Sequence, residues 1–413
     1  MENVTTVQEK TIPAITPMQP VSSTASRIAS VDVYRGFVML LMMGEVLSFS
    51  QVSASLPDSG FWQFLSFHQS HVPWIWLALH DMIQPSFTFL VGVVLPYSIA
   101  SRKSKGASFS NLMLHTIKRS VILICLGIFL RSMDANQTYF TFEDTLSQIG
   151  LGYTFLVLLG FCSQRIQIIA LVVILVGYWL AFALYPLPGS SFDYTSAGVT
   201  ANWEHNLTGF AAHWNKNTNL AYGFDRWFLN LFPRKSVFLN NEGGYSTLSF
   251  IPTLGTMIIG LLAGNVMNST KTQQEKLRFF IIAGISLIAA GILFHVTGIN
   301  PIVKRIWTPA WVIFSGGICF LFLSFFYGVV DVAGKKKWSY FLMVIGANSI
   351  AAYVFSDGGI RALIHNSLYI HLGQNFDTLF GTPYAPLVSG AITLLLLWLI
   401  LNWMYKKKIF IKI

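Results

Sequence analysis

Charged side chains are scarce in this sequence. Asp, Glu, Lys and Arg make up 11% of its 413 residues, against about 25% in soluble domains. That deficit excludes an ordinary soluble globular protein. With 54% hydrophobic residues and a mean hydropathy of +0.57, it predicts a chain that crosses a bilayer several times. Acidic residues are scarcer than basic ones, 17 against 27 Lys and Arg, which leaves a formal net charge of +10. A nucleic-acid partner is excluded all the same, because the cations stand in short clusters between apolar runs, as loop anchors do.

Cysteine is almost missing. Cys125, Cys162 and Cys319 lie in or at the ends of apolar runs, and an odd number so placed gives no disulfide framework. Zinc-type spacings such as His-Glu-x-x-His or paired Cys-x-x-Cys are absent, so no metal site is predicted. A Gly-x-Ser-x-Gly elbow and a phosphate-cradling glycine loop are absent too, which removes those hydrolase and nucleotide-binding classes. Residues 1–26, rich in Thr, Ser, Pro and Gln, lack the apolar core of a cleavable leader. They read as a disordered cytoplasmic tail, with the first span as an uncleaved insertion signal.

What remains is long apolar stretches. About ten segments have the required length of about 20 residues: roughly 36–55, 75–98, 117–132, 145–162, 166–186, 247–267, 279–298, 309–330, 338–356 and 385–405. The expected fold is therefore all-α, a polytopic helical bundle of about ten transmembrane helices formed by residues 27–413. The 34 Phe, 12 Trp and 15 Tyr supply interfacial belts in contact with the lipid bilayer. Clusters such as Arg102–Lys105, Lys118–Arg119, Lys335–Lys337 and Lys406–Lys408 all fall on one side if both termini are cytoplasmic. The longest connection, about 187–246, then lies outside. It carries Trp203, Trp214, Trp227, Tyr222 and Tyr245 among scattered carboxylates. That composition suits carbohydrate stacking or a headgroup layer.

Ionisable groups within spans mark functional positions. Glu45, ten residues beyond Arg35, is expected roughly 15 Å into the membrane. If Pro73 opens the second helix, Asp81 lies about 12 Å down from the opposite face. Two carboxylates at one depth need a cation, a shared proton or water, and Lys304 or Arg131 is placed to supply the cation. His71 precedes the helix, whose free N–H groups favour a neutral imidazole there, as a general base requires. A water-bonded interfacial histidine is the competing reading. His80 is expected on another face; it, His68, His115 and His295 read as structural or solvated.

The ordered motifs resemble the heparan-α-glucosaminide N-acetyltransferase family of transmembrane acetyltransferases, in its shorter bacterial form. They are "RIASVDVYRG" (27–36), "HVPW" (71–74) followed by Asp81 and Pro85, "LSQIGLGY" (146–153), "FDRWFLN", "NEGGYSTLSFIPTLGTMIIGLLAG", "NPIVKRIWTPAW" (300–311) and "IGANSIAAYVF" (345–355). The resemblance implies acetyl transfer from cytoplasmic acetyl-CoA to an amino sugar or glycan on the other face of the cytoplasmic (inner) membrane. His71 takes the family's active-site histidine, with Glu45 and Asp81 beside it. Trp74, Lys304 and Asn348 are assigned to the coenzyme site. Glu45 stands near where the glycosaminoglycan-active members carry Asn, and is expected to orient His71 or hold a sugar amine. O-acylation of envelope glycans and proton-coupled transport are the rival activities. A homodimer and a single chain are both open.

Overall fold

The computed structural model describes residues 28–411, so the expected tail over 1–26 lies outside the described residues. Their regular structure is helical apart from one isolated antiparallel bridge, Ile75 to Val303. α1 (Ala29–Met43) passes through a 3-10 turn (Gly44–Leu47) into α2 (Phe49–Ser55), and α3 (Gly60–Gln69) follows. After an irregular strip over 70–78, a 3-10 turn (Leu79–Met82) opens α4 (Ile83–Ser104). Then come α5 (Phe109–Ser132), α6 (Thr145–Gly160), α7 (Gln164–Ala183) and, inside the long connection, α8 (Leu220–Phe228). The second half holds α9 (Phe250–Met267), α10 (Gln273–Val296), α11 (Pro309–Phe326), α12 (Tyr340–Ala347), α13 (Ser349–Asp357), α14 (Ile360–Leu372) and α15 (Ala385–Lys406).

The chain is a multi-pass membrane protein. Among the described residues seven helical segments are long and apolar enough to cross a membrane, and up to nine when each of the bent pairs α1–α2 (40°) and α12–α13 (68°) is counted as one span. Every expected span falls on a helix, but the expected count of ten is not reached by length. The fourth, α6, has 16 residues, about 24 Å at 1.5 Å per residue, short of a hydrocarbon core of about 30 Å. Two spans are broken. The first breaks at Ser48, whose φ of +50° no continuing helix tolerates. The ninth breaks at Asn348.

α9 is the central helix, with most of its length buried. It meets α4 backbone to backbone: side chains at Gly260 and Gly264 would strike the carbonyls of Phe89 and Val93. Small residues spaced by four let membrane helices approach this closely. The opposite pattern marks lipid-facing helices: Ile169 and Val173 of α7, and Ile285 and Leu293 of α10, are exposed.

The long connection folds over one end of the bundle. Trp214 is fully buried, and Trp74 donates its indole N–H to the Trp214 carbonyl at 3.1 Å. Trp214, Tyr222 and Phe238 of this loop are buried, while Phe210 and Trp227 stay exposed.

Candidate active site

The second span starts later than the spacing predicts. The strip over 70–78 is held by distant bonds: the Trp76 N–H donates to the Ile302 carbonyl at 3.2 Å, and Arg305 donates to the carbonyls of Val72 (3.0 Å) and Gly243 (2.8 Å). Pro73 therefore sits in this strip and not in a first helical turn, and His71 is not at a helix N-terminus. Asp81, expected about 12 Å along the helix, lies in its opening 3-10 turn. A neighbouring carboxylate, in place of a helix N-terminus, orients the histidine.

That carboxylate is a junction. Asp81 Oδ2 accepts the Ala78 N–H at 2.9 Å and the Val72 N–H at 3.4 Å. Its Oδ1 lies 2.8 Å from His71 Nδ1 and 3.1 Å from Lys304 Nζ. Lys304 reaches it because Thr308 folds 300–308 into a tight turn: its hydroxyl donates to the Pro301 carbonyl at 2.7 Å and accepts the Val303 N–H at 3.1 Å. The Asp81 side chain is 1% exposed and that of His71 is 39% exposed, so the acid is wall and the ring faces open space. The ionised acid fixes the proton on Nδ1 and leaves Nε2 as the nitrogen offered to that space. Burial, joined by the Lys304 charge, outweighs the Asp81 hydrogen bond and holds His71 below its ordinary value.

Glu45 joins the same cluster by a partner that the sequence pattern assigned elsewhere. Its Oε1 lies 2.9 Å from His80 Nε2 and its Oε2 lies 3.5 Å from Arg361. His80 is buried, and its ring centroid is 4.7 Å from that of His71. The expectation that His80 points to a different face is therefore overturned. A 3-10 turn has three residues per turn, not 3.6, and the irregular strip carries His71 back beside it. His68, read as structural, is so: its Nδ1 accepts the Leu79 N–H at 3.2 Å.

His71, His80, Glu45 and Lys304 line a cavity of about 320 Å³, together with Gln84, Arg131, Glu143, Asp144, Asp357 and Tyr245. Arg131 is thus in the site without being the partner of Asp81. Burial raises Glu143 and Asp144 above the usual carboxylate range. Tyr245, which sequence reasoning placed only in a loop, has its ring 6.5 Å from that of His71, and Arg305 lies over it at 5.0 Å. Its place inside the "NEGGYSTLSF" motif was the signal.

A second, larger cavity of about 700 Å³ neighbours the first, and Thr145 and Tyr353 line both. Its other end is basic, with Arg35, Arg102 and Arg119 against Asp32. Arg119 donates to the Tyr153 hydroxyl at 3.1 Å, and its buried Nε has no protein partner among the described residues. His115 lines this cavity beside Arg102, at 3.1 Å.

The other two assigned residues stand in walls. Trp74 is fully buried under the long loop and lines neither cavity. Asn348 is fully buried at the α12–α13 break; its amide donates to the Ile409 carbonyl at 2.9 Å and its oxygen accepts the Ile411 N–H at 3.2 Å. It thereby pins the C-terminal segment whose Phe410 and Ile411 line the larger cavity. Gln148 donates to the Phe142 carbonyl at 2.7 Å and ties α6 to the end of the long loop through the Ser246 carbonyl at 3.4 Å. Among the described residues no group of three or more His, Cys, Asp and Glu is arranged to hold a metal ion.

No family model matches the chain. Two curated proteins are similar to it. Heparan-alpha-glucosaminide N-acetyltransferase of Homo sapiens is 24% identical over 434 residues, covering 95% of this chain and 61% of that protein. The protein of the same name from Mus musculus is 24% identical over 435 residues, with the same coverage. The chain is a distant relative of these proteins and spans about three fifths of their length.

Proposed function

We propose that this protein is a membrane-embedded acetyltransferase, moving acetyl from coenzyme A to an amine of an amino sugar or glycan held beside His71. The observation that carries the reading is the Asp81–His71 pair on a cavity that shares Thr145 and Tyr353 with a second, arginine-lined cavity. The distant similarity to an N-acetyltransferase supports the same chemistry.

The two cavities differ in charge as the two substrates do. The larger has three arginines against one aspartate, which suits the phosphates of coenzyme A. The smaller has four carboxylates, Glu45, Glu143, Asp144 and Asp357, against Lys304 and Arg131. Carboxylates held above their usual range by burial regain ionisation when a cation enters, so this end favours an ammonium over a neutral hydroxyl. The basic mouth belongs on the cytoplasmic side, where coenzyme A is made, and the His71 end on the opposite face of the inner membrane.

The chemistry then follows. His71 Nε2 takes a proton from the acceptor nitrogen. That nitrogen attacks the thioester carbonyl, the carbon–sulfur bond breaks and coenzyme A leaves as its thiolate, and Asp81 holds the imidazolium that forms. Both reactants meet at one ring, so direct transfer needs no covalent acetyl-enzyme.

Purified protein given acetyl-CoA labelled in the acetyl group, with a panel of amino sugars and their N-acetylated forms, should label only the free amines. Labelling of hydroxyls would make it an O-acyltransferase, and uptake into vesicles without label transfer would make it a carrier. In the same assay Arg119→Ala should raise KM for acetyl-CoA about tenfold, the size of one lost charge-assisted hydrogen bond, with kcat little changed.

A further inference from the structure

The site holds two imidazoles, and the mechanism above uses one. His80 is backed by Glu45 at 2.9 Å as His71 is backed by Asp81 at 2.8 Å. The two rings lie 4.7 Å apart, centroid to centroid, on the same cavity. They present opposite nitrogens to their acids: His71 uses Nδ1 and keeps Nε2, whereas His80 uses Nε2 and keeps Nδ1. They also differ in the cation that faces them. Lys304 Nζ is 3.2 Å from His71 Nδ1 itself, which disfavours a charged ring there. Arg361 meets the far oxygen of Glu45, which leaves the near oxygen to His80. The cavity thus holds two carboxylate-backed rings, one with an ammonium beside its acid-facing nitrogen and one without, which is the pairing an acid and a base require.

We infer that His80, held by Glu45, is a second proton-transfer group of the site: it protonates the departing thiolate while His71 deprotonates the amine. This rests on the acetyltransferase reading. In the step, the acceptor nitrogen, a neutral amine once its ammonium proton has gone to solvent, loses one proton to His71 Nε2 and bonds to the carbonyl carbon. The carbon–sulfur bond breaks, and the sulfur takes the proton from His80 Nδ1. The products are the acetamide and the free thiol, with His71 charged and His80 neutral. One proton passing from His71 to His80 across the cavity resets the pair. Nitrogen and sulfur are bonded to one carbon in the tetrahedral intermediate, so neighbouring rings can bracket both. Glu45 is the positioning residue for His80, since it acts through that ring.

The alternative is that His80 only supports the wall. A donor that needs no proton separates the two. Wild type, His80→Gln, Glu45→Gln and His71→Gln are compared with acetyl-CoA and with p-nitrothiophenyl acetate, whose thiolate leaves unprotonated, using one amino-sugar acceptor. His80→Gln keeps a donor to Glu45 and cannot carry the second proton. Its kcat should fall about 10²-fold or more with acetyl-CoA, with KM unchanged, and less than threefold with the activated donor. Glu45→Gln should show the same donor-selective loss in smaller degree, and supplies the test if His80→Gln does not fold. His71→Gln should lose turnover with both donors. Equal loss of kcat for His80→Gln with both donors, or wild-type turnover with acetyl-CoA, overturns the inference. If wild type transfers acetyl from neither donor, it is the acetyltransferase reading that fails.

Discussion

Replacing His71 with alanine lowers kcat/KM for acetyl transfer by about 10²–10⁴-fold, the usual contribution of a positioned general base. The variant should stay folded, because its ring is 39% exposed and contributes little to the core. Removing it leaves Asp81 with the Lys304 ammonium and the Ala78 N–H. The fold is checked by a thermal midpoint in detergent, and turnover by label transfer. Wild type adds a second measurement. Burial and the Lys304 charge hold His71 below the ordinary imidazole value of about 6.5. A base is lost when it is protonated, so kcat/KM should remain level as pH falls to about 6.5 and decline only below it. An acid limb centred above 6.5, or undiminished turnover in His71→Ala, removes this ring from the chemistry.

Lipid makes the spans legible and hides the site. A helix crossing the hydrocarbon core must be apolar for about 20 residues, and that demand is written continuously in the chain. All ten apolar runs fall on helices for this reason. Nothing comparable prints the breaks at Ser48 and Asn348, since no proline marks either position. The strip over 70–78 is illegible for a related cause. Local spacing continues the helix back to Pro73, but Ile302, Val303 and Arg305 bond this strip from more than 200 residues away. Those bonds move Asp81 into the first turn and set His80 beside His71.

Charge scarcity worked better than spacing. In so apolar a chain, Glu45, His71, Asp81 and Lys304 stand out singly, and the structure gathers all four around one cavity. Their pairing was not readable, because it depends on rotation within a 3-10 turn. Glu45 therefore reached His80 and not His71. The long loop misled in the other direction. Its rings look available for a sugar, yet Trp214 is buried against Tyr178 and Phe182 of α7 and Tyr222 is buried within the loop itself.

Asp81→Asn should cost more in rate than any other isosteric change in this protein, and it isolates what the carboxylate does. Its two oxygens face four donors: His71, Lys304 and the N–H groups of Ala78 and Val72. An amide NH₂ in the Oδ2 place meets two backbone N–H groups, so the amide turns its NH₂ toward His71. It then donates to Nδ1, the ring proton moves to Nε2, and the lone pair that would accept the acceptor's proton is gone. A carboxylate-to-amide change behind a catalytic imidazole lowers kcat by about 10⁴-fold in the serine-protease triad, and a fall of that order is expected here. Stability falls as well, because Lys304 becomes a buried charge without a counter-ion, a loss of about 3–5 kcal/mol. The two effects separate in the double variant Asp81→Asn with Lys304→Met. Removing the orphaned ammonium should restore most of the thermal midpoint, since a buried ion pair replaced by groups of similar volume is close to neutral. The rate should stay low, because the tautomer is still wrong. If turnover recovers together with stability, Asp81 matters to the fold alone. If Asp81→Asn keeps turnover within tenfold of wild type, the acid does not set the proton on His71 and the proposed base has lost its support.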